Sequence, residues 1–141
     1  MNIVINTSIK DKLKKAIKPL NCFLFPKLNK EEKAYQFISI NMITNLLGIG
    51  NAATPAGLQA MELLNKDCNN KKELSDDMIM FMAINTASLQ MIPTNVIAIR
   101  TSLNSTNAGG IIFGVWFCSI ITFVSIVLLA KIYLILRKRK R

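Results

Sequence analysis

The charged residues of this chain leave three long gaps: 28 uncharged positions between Lys33 and Glu62, 22 between Asp77 and Arg100, and 30 between Arg100 and Lys131. An ionised side chain at the centre of a bilayer costs about 3 kcal/mol or more, so charges are kept out of membrane spans. A helix needs roughly 20 predominantly apolar residues to cross the hydrocarbon core. Each gap is long enough. The pattern therefore predicts an all-α integral membrane protein, with a basic amphipathic N-terminal region 1–33, a membrane domain 34–136 holding stretches 34–61, 78–99 and 109–136, and a basic tail 137–141.

The three stretches differ in kind. Gly109 to Ala130 is interrupted by only three hydroxyl residues, Ser119, Thr122 and Ser125, which can bond back to their own helix. It reads as an ordinary span. The first stretch carries Asn41, Thr44, Asn45, Gly48, Gly50, Asn51, Thr54, Pro55 and Gly57, and the second Asn85, Thr86, Ser88, Gln90, Pro93, Thr94 and Asn95. Proline and glycine free backbone groups from the helical ladder, and carboxamides need partners in a dry medium. These two stretches are therefore expected to be broken or re-entrant helices, shielded by protein or by a water-filled cavity.

Ahead of them, Ile9, Leu13, Ala16, Ile17 and Leu20 recur at near-helical spacing among lysines. This predicts an amphipathic helix over 7–20, either lying on the anionic leaflet or packed on its neighbours. Asn21 to Lys30 contains Pro26 and places Asn29 before Glu31 and Glu32, a turn followed by a helix cap. Asp76 and Asp77 read as another helix start, and Met78, Met80, Met82 and Met91 as packing residues.

Charge adds direction. The net charge is +10 and half the residues are hydrophobic, with the basic residues gathered toward the two ends. The basic clusters lack interleaved aromatics and any nucleic-acid motif, so no nucleic-acid partner is expected. Lysine and arginine beside apolar spans mark the cytoplasmic side. Residues 1–35 carry +5 and residues 131–141 carry +6, which puts both termini of this multi-pass protein in the cytoplasm. Three full crossings would separate them. The stretch 34–61 is thus expected to enter and return on one face, leaving 62–77 cytoplasmic and the loop 101–109 translocated; the alternative is that all three stretches cross and one basic end breaks the charge rule.

Histidine is absent, and Cys22, Cys68 and Cys118 stand 46 and 50 residues apart. His-based triads, the common zinc sites and CxxC redox pairs are excluded. No nucleophile has a base, so no enzyme activity, metal or cofactor is expected. The candidate chemistry is polar recognition. Asn41 and Asn45, four apart, share a helical face, as Asn85 and Ser88 do. Gly48 and Gly50 permit a bend or close approach, Asn51, Thr54 and Pro55 sit at the expected break, and Thr86, Pro93 and Thr94 surround the second. Such residues either line a solute or ion path or join helices through hydrogen bonds worth about 0.6 to 2 kcal/mol each.

Two segments carry a family resemblance. Asn45-Leu-Leu-Gly-Ile-Gly-Asn-Ala-Ala-Thr-Pro-Ala-Gly, ending at Gly57 and followed by Ala60-Met61, resembles the signature of the spore maturation protein A family of endospore-forming bacteria. In the right order follows Phe81-Met-Ala-Ile-Asn-Thr-Ala-Ser-Leu-Gln-Met-Ile-Pro-Thr, ending at Thr94, then Val96-Ile97-Ala98 and Arg100. The resemblance implies a membrane protein of the nucleoside-recognition, or gate-domain, group acting late in sporulation, including dehydration of the spore core. It also implies a companion of the spore maturation protein B kind. Relatives usually carry further spanning segments before the region matched by Ile17 to Pro26, so a truncated or split form is expected here.

The reading is a spore maturation protein of the cell membrane, in contact with lipid, whose gate-like segments bind or pass a small polar solute. The alternative is a membrane assembly subunit, and so polar a surface on so short a chain predicts a homo- or hetero-oligomer. The topology is checked by replacing Ser75 and Ser105 with cysteine, one at a time. The two thiols are expected to react with impermeant reagents from opposite sides, and labelling of both from one side would rule the arrangement out.

Overall fold

A computed structural model of the chain describes residues 7–28, 32–67, 73–87 and 89–139. Among these, six α-helices follow one another without a strand: α1 Thr7–Leu24, α2 Lys33–Leu46, α3 Gly50–Asp67, α4 Asp76–Ala87, α5 Thr94–Ser102 and, after a 3-10 turn Ala108–Ile111, α6 Ile112–Arg139. The all-α expectation holds. Asn29, Glu31, Cys68, Ser88 and the last two basic residues lie outside the described residues.

The stretch 34–61 folds as two helices, α2 and α3, packed against each other as a hairpin around Gly48. Gly48 has φ +71°, a left-handed conformation that strains residues with a Cβ. Its N–H donates to the Asn45 carbonyl at 2.9 Å and the Ile49 N–H to that of Thr44 at 2.9 Å. This pair of bonds, a Schellman motif, satisfies carbonyls that the end of α2 would otherwise leave open. Gly57 then lets the arms close, for a Cβ there would stand 2.9 Å from the Asn41 amide nitrogen. The break thus falls at residues 47–49 and not at Asn51 to Pro55. Those residues sit within the first two turns of α3, and Pro55, inside the helix, leaves the Asn51 carbonyl without its N–H partner but does not end it.

The stretch 78–99 is not one long helix. It divides into α4, 12 residues, and α5, 9 residues; Pro93, with no N–H to donate and a bias of Ile92 away from helical angles, keeps the second helix from starting before Thr94. Among the described residues a single helical run, Ala108–Arg139, is long and apolar enough to cross a membrane. The start of α4 has a cap that the sequence reading overlooked: the Ser75 hydroxyl accepts from the Met78 N–H at 3.1 Å.

Phe25, Ile38 and Phe81 are fully buried, and Ala60, Leu64, Met78 and Ile84 complete the core around them. Of the four methionines read as packing, Met82 and Met91 stay exposed. The first helix extends past Leu20 to Leu24, so the expected turn begins four residues later. Ile17, Asn21 and Leu24 are buried at i, i+4 and i+7, one helical stripe. Asn21 donates to the Ser39 hydroxyl at 2.8 Å, and that hydroxyl donates to the Tyr35 carbonyl. The C-terminal half of α1 therefore belongs to the bundle.

Helix α6 lies along α4, contributing Val127 and Ala130 to the core. Phe113, Phe117, Leu129 and Ile135 are each at least 65% exposed. At its far end Arg137 donates to the Leu74 carbonyl at 2.8 Å and to Glu73 at 3.2 Å, with Asp76 at 3.9 Å, while Lys138 stands 3.4 Å from Asp76. The acidic start of α4 and the basic end of α6 thus meet, a pairing that also suits both helix dipoles.

Burial pushes the Asp77 carboxyl above its ordinary 3.8; Asp76 and Glu32 add to the rise, and Lys27 and Lys138 oppose it. A carboxyl with a raised folded-state pKa binds protons more readily folded than unfolded, so stability falls as pH rises from the unfolded pKa through the folded one. Asp77→Asn is expected to raise the thermal midpoint of the purified protein at pH 7, with the gain fading as pH falls through the raised folded-state pKa and lost below about 3.8. An equal gain at pH 7 and pH 3 would contradict this account.

Candidate functional site

Three carboxamides tie the middle of the bundle together. Asn41 donates to the Ala53 carbonyl on α3 at 2.9 Å, crossing between the arms of the hairpin. Asn45, one turn further along α2, donates to Asn41 Oδ1 at 3.3 Å and to Asn85 Oδ1 on α4 at 3.1 Å. Asn85 in turn donates to the Phe81 carbonyl one turn back at 3.0 Å. Asn41 is buried, and Asn45 and Asn85 are half-buried, so each made bond spares a polar group the cost of dry burial.

Beside this network the two helix breaks lock into one another. Residues 89–93 lie against the Gly48 turn: the Met91 N–H donates to the Leu46 carbonyl at 2.8 Å and the Thr94 hydroxyl to the Gly48 carbonyl at 2.7 Å. A Cβ on Gly48 would collide with the Ile92 carbonyl. Pro93 is fully buried, and the Trp116 indole of α6 donates to the Met91 carbonyl at 2.6 Å. The carbonyls released by one break thus find donors in the other.

Between α3 and α4 opens a groove of about 600 Å³, reached by Asn41, Asn45, Gly50, Asn51, Thr54, Asn85, Thr86 and Gln90, with Leu58, Met61 and Met82 as its apolar rim. Asn51 and Thr86 are exposed. The Thr86 hydroxyl donates to the Met82 carbonyl and the Thr54 hydroxyl to that of Gly50; each keeps acceptor capacity. Pro55 cannot donate to the Asn51 carbonyl, and the first N–H groups of α3 have no partner within their helix. The groove therefore offers donors and acceptors together, suited to a small molecule with both.

A curated relative decides the family: Spore maturation protein A of Bacillus subtilis (strain 168) is 32% identical over 140 residues, 99% of this chain and 71% of that protein. The chain belongs to the spore maturation protein A family. No protein-family model matches the sequence, and no solved structure matches the fold. The first motif of this family member holds the end of α2, the Gly48 turn and the opening of α3; the second holds the last turns of α4 and the break up to Thr94. They are the two elements that interlock. One long apolar helix and the relative's name are together consistent with a membrane protein.

The structure thus brings Asn41, Asn45, Asn85, Gly50, Asn51, Thr54 and Thr86 to one groove, and sets Gly48, Pro93 and Thr94 behind it as the interlock; Pro55 is exposed on α3. Ser88 lies outside the described residues. Sequence reasoning left out Gln90, which lines the groove, and Trp116, which holds the second break. A carboxamide inside an uncharged stretch was a readable signal for Gln90. Nothing in the spacing of Trp116 points to Met91, 25 residues away.

Gly48→Ala is expected to lose about 1 to 2 kcal/mol from the left-handed backbone alone, and more from the collision with Ile92. Gly50→Ala meets open space and is expected to change stability by less than about 0.5 kcal/mol. Chemical denaturation of the two variants checks the contrast, and equal losses would refute the interlock.

Proposed function

We propose that this protein acts in spore maturation, including dehydration of the spore core, as a multi-pass membrane protein whose polar groove binds or passes a small polar solute. The observation that carries the reading is the groove itself: carboxamides, hydroxyls and helix-terminal amides gathered beside two interlocked helix breaks. Irregular backbone at membrane depth is tolerated where it is buried in protein or lines a cavity, and substrate sites of transporters are built from discontinuous helices.

Lengths support the membrane placement. From Trp116, bonded to Met91, to Arg137, bonded to Leu74 just ahead of α4, a helix rises roughly 32 Å. Helix α4 supplies about 18 Å of the same path. The rise along α6 matches a hydrocarbon core of about 30 Å. Helix α2, at 14 residues, rises only about 21 Å before Gly48 turns the chain back. That fits a re-entrant hairpin with 62–77 and both termini on the cytoplasmic side. Exposed aromatic and aliphatic side chains along α6 are costly in water and natural in lipid. Lys15 and Lys18 on the outer face of α1 face water in this arrangement.

The second reading is an assembly subunit, with a spore maturation protein B-like partner or another copy of this chain. It draws support from the Asn41, Asn45 and Asn85 amides, which already bond to one another and to the backbone. Those three are helix glue under either reading. Exposed Asn51 and Thr86 are the discriminating residues.

Uptake of labelled uridine and of glycerol into vesicles holding the purified protein tests the solute reading. Asn51→Ala and Thr86→Ala are each expected to reduce uptake of the transported probe about two- to tenfold, the worth of one hydrogen bond, with oligomer size unchanged. Loss of the oligomer in these variants, without uptake by the parent, would favour the assembly subunit.

A further inference from the structure

A second cavity lies at the charged end of the bundle. It holds about 220 Å³ and is walled by Phe23, Leu134 and Ile135, with Lys27, Lys131 and Lys138 around it. Lys131, Leu134, Ile135 and Lys138 stand at i, i+3, i+4 and i+7 on α6 and so form one face. The Lys131 ammonium sits over the Phe23 ring, 3.1 Å from its centroid, which ties α6 to α1 through a cation–π contact.

Asp76 and Asp77 also line the cavity, but the cations are not all spent on them. Asp76 lies 3.4 Å from Lys138 and 3.9 Å from Arg137. Lys27 and Lys131 have no carboxylate within 4.0 Å among the described residues. An apolar stripe leads away from the cavity along α6 through Ile135, Ile132 and Leu128, each more than half exposed. These three also follow helical spacing, seven residues from first to last.

We propose that this cavity binds one anionic phospholipid, its phosphate held by Lys27 and Lys131 and an acyl chain laid along Ile135, Ile132 and Leu128. Charge complementarity selects the headgroup, and the exposed stripe selects a lipid over a soluble phosphate. Basic pockets between helices at the cytoplasmic face are built to hold such headgroups, each lysine near the surface contributing a comparable share of the attraction. The site is separate from the polar groove and rests on the membrane reading of the protein. In that setting the bound lipid seals the junction of α1, α4 and α6.

The test titrates phosphatidylglycerol or phosphatidylcholine into the full chain in detergent and counts retained lipid by native mass spectrometry. The parent is expected to hold one phosphatidylglycerol in preference to phosphatidylcholine. Lys27→Gln with Lys131→Gln is expected to weaken that binding about tenfold or more. Lys15→Gln with Lys18→Gln, an equal loss of charge outside the cavity, is expected to leave it within about twofold. Equal weakening by both pairs, or equal retention of the two lipids by the parent, would overturn the site while leaving the membrane reading intact. Failure of the parent to enter vesicles of either lipid would overturn both.

Discussion

Backbone carbonyls that a helix leaves behind when it stops must find donors, and the arrangement of this protein follows from where they find them. At the end of α2 the carbonyls of Leu46 and Gly48 take theirs from Met91 and Thr94, in the gap between α4 and α5. The second break thereby caps the first, while its own Met91 carbonyl takes the indole N–H of Trp116. Water would do the same service at a surface, but inside a bundle or a bilayer an unpaired peptide group costs several kcal/mol. The interlock fixes how far α4 slides along the hairpin, and so brings Asn85 within reach of Asn45 and sets the width of the groove.

Local chemistry made much of this legible. A bend near Gly48, though not its place ahead of Asn51, and the break before Pro93 each follow from one residue's own conformational limits, and the acidic start of α4 from its two carboxylates. The shared face of Asn41 and Asn45 follows from helical spacing. Less legible was anything decided by a distant partner. Asn21 reads as the start of a turn, yet its amide is held by Ser39 on another helix and α1 continues. Pro55 reads as a breaker, yet α3 runs on through it, with only the Asn51 carbonyl losing its donor. Where within 78–99 the first helix stops was not legible either, because a charge count registers apolar length and not continuity of the helix. How the groove residues act, beyond being near one another, lies past what periodicity can say.

The polar residues divide into two populations that composition alone does not separate. Asn41, Asn45 and Asn85 bond to one another and to backbone, and so lend the groove a stiff floor. Asn51 and Thr86 stand exposed at its edge. A floor already satisfied keeps its shape by itself, which under the proposed solute reading limits the reorganisation an occupant has to drive. The same division accounts for two family motifs on different helices, since each supplies one side of the floor and one half of the interlock.

The indole of Trp116 reaches across from α6 to the Met91 carbonyl, whose own N–H is tied to α2. It is also the chain's single tryptophan. The protein thus carries a built-in optical reporter, with its one strongly fluorescent side chain hydrogen-bonded to the segment that any rearrangement of the breaks must move. Loosening of the interlock would release that bond and shift the emission, so the state of the breaks can be followed in the unlabelled, unmodified chain.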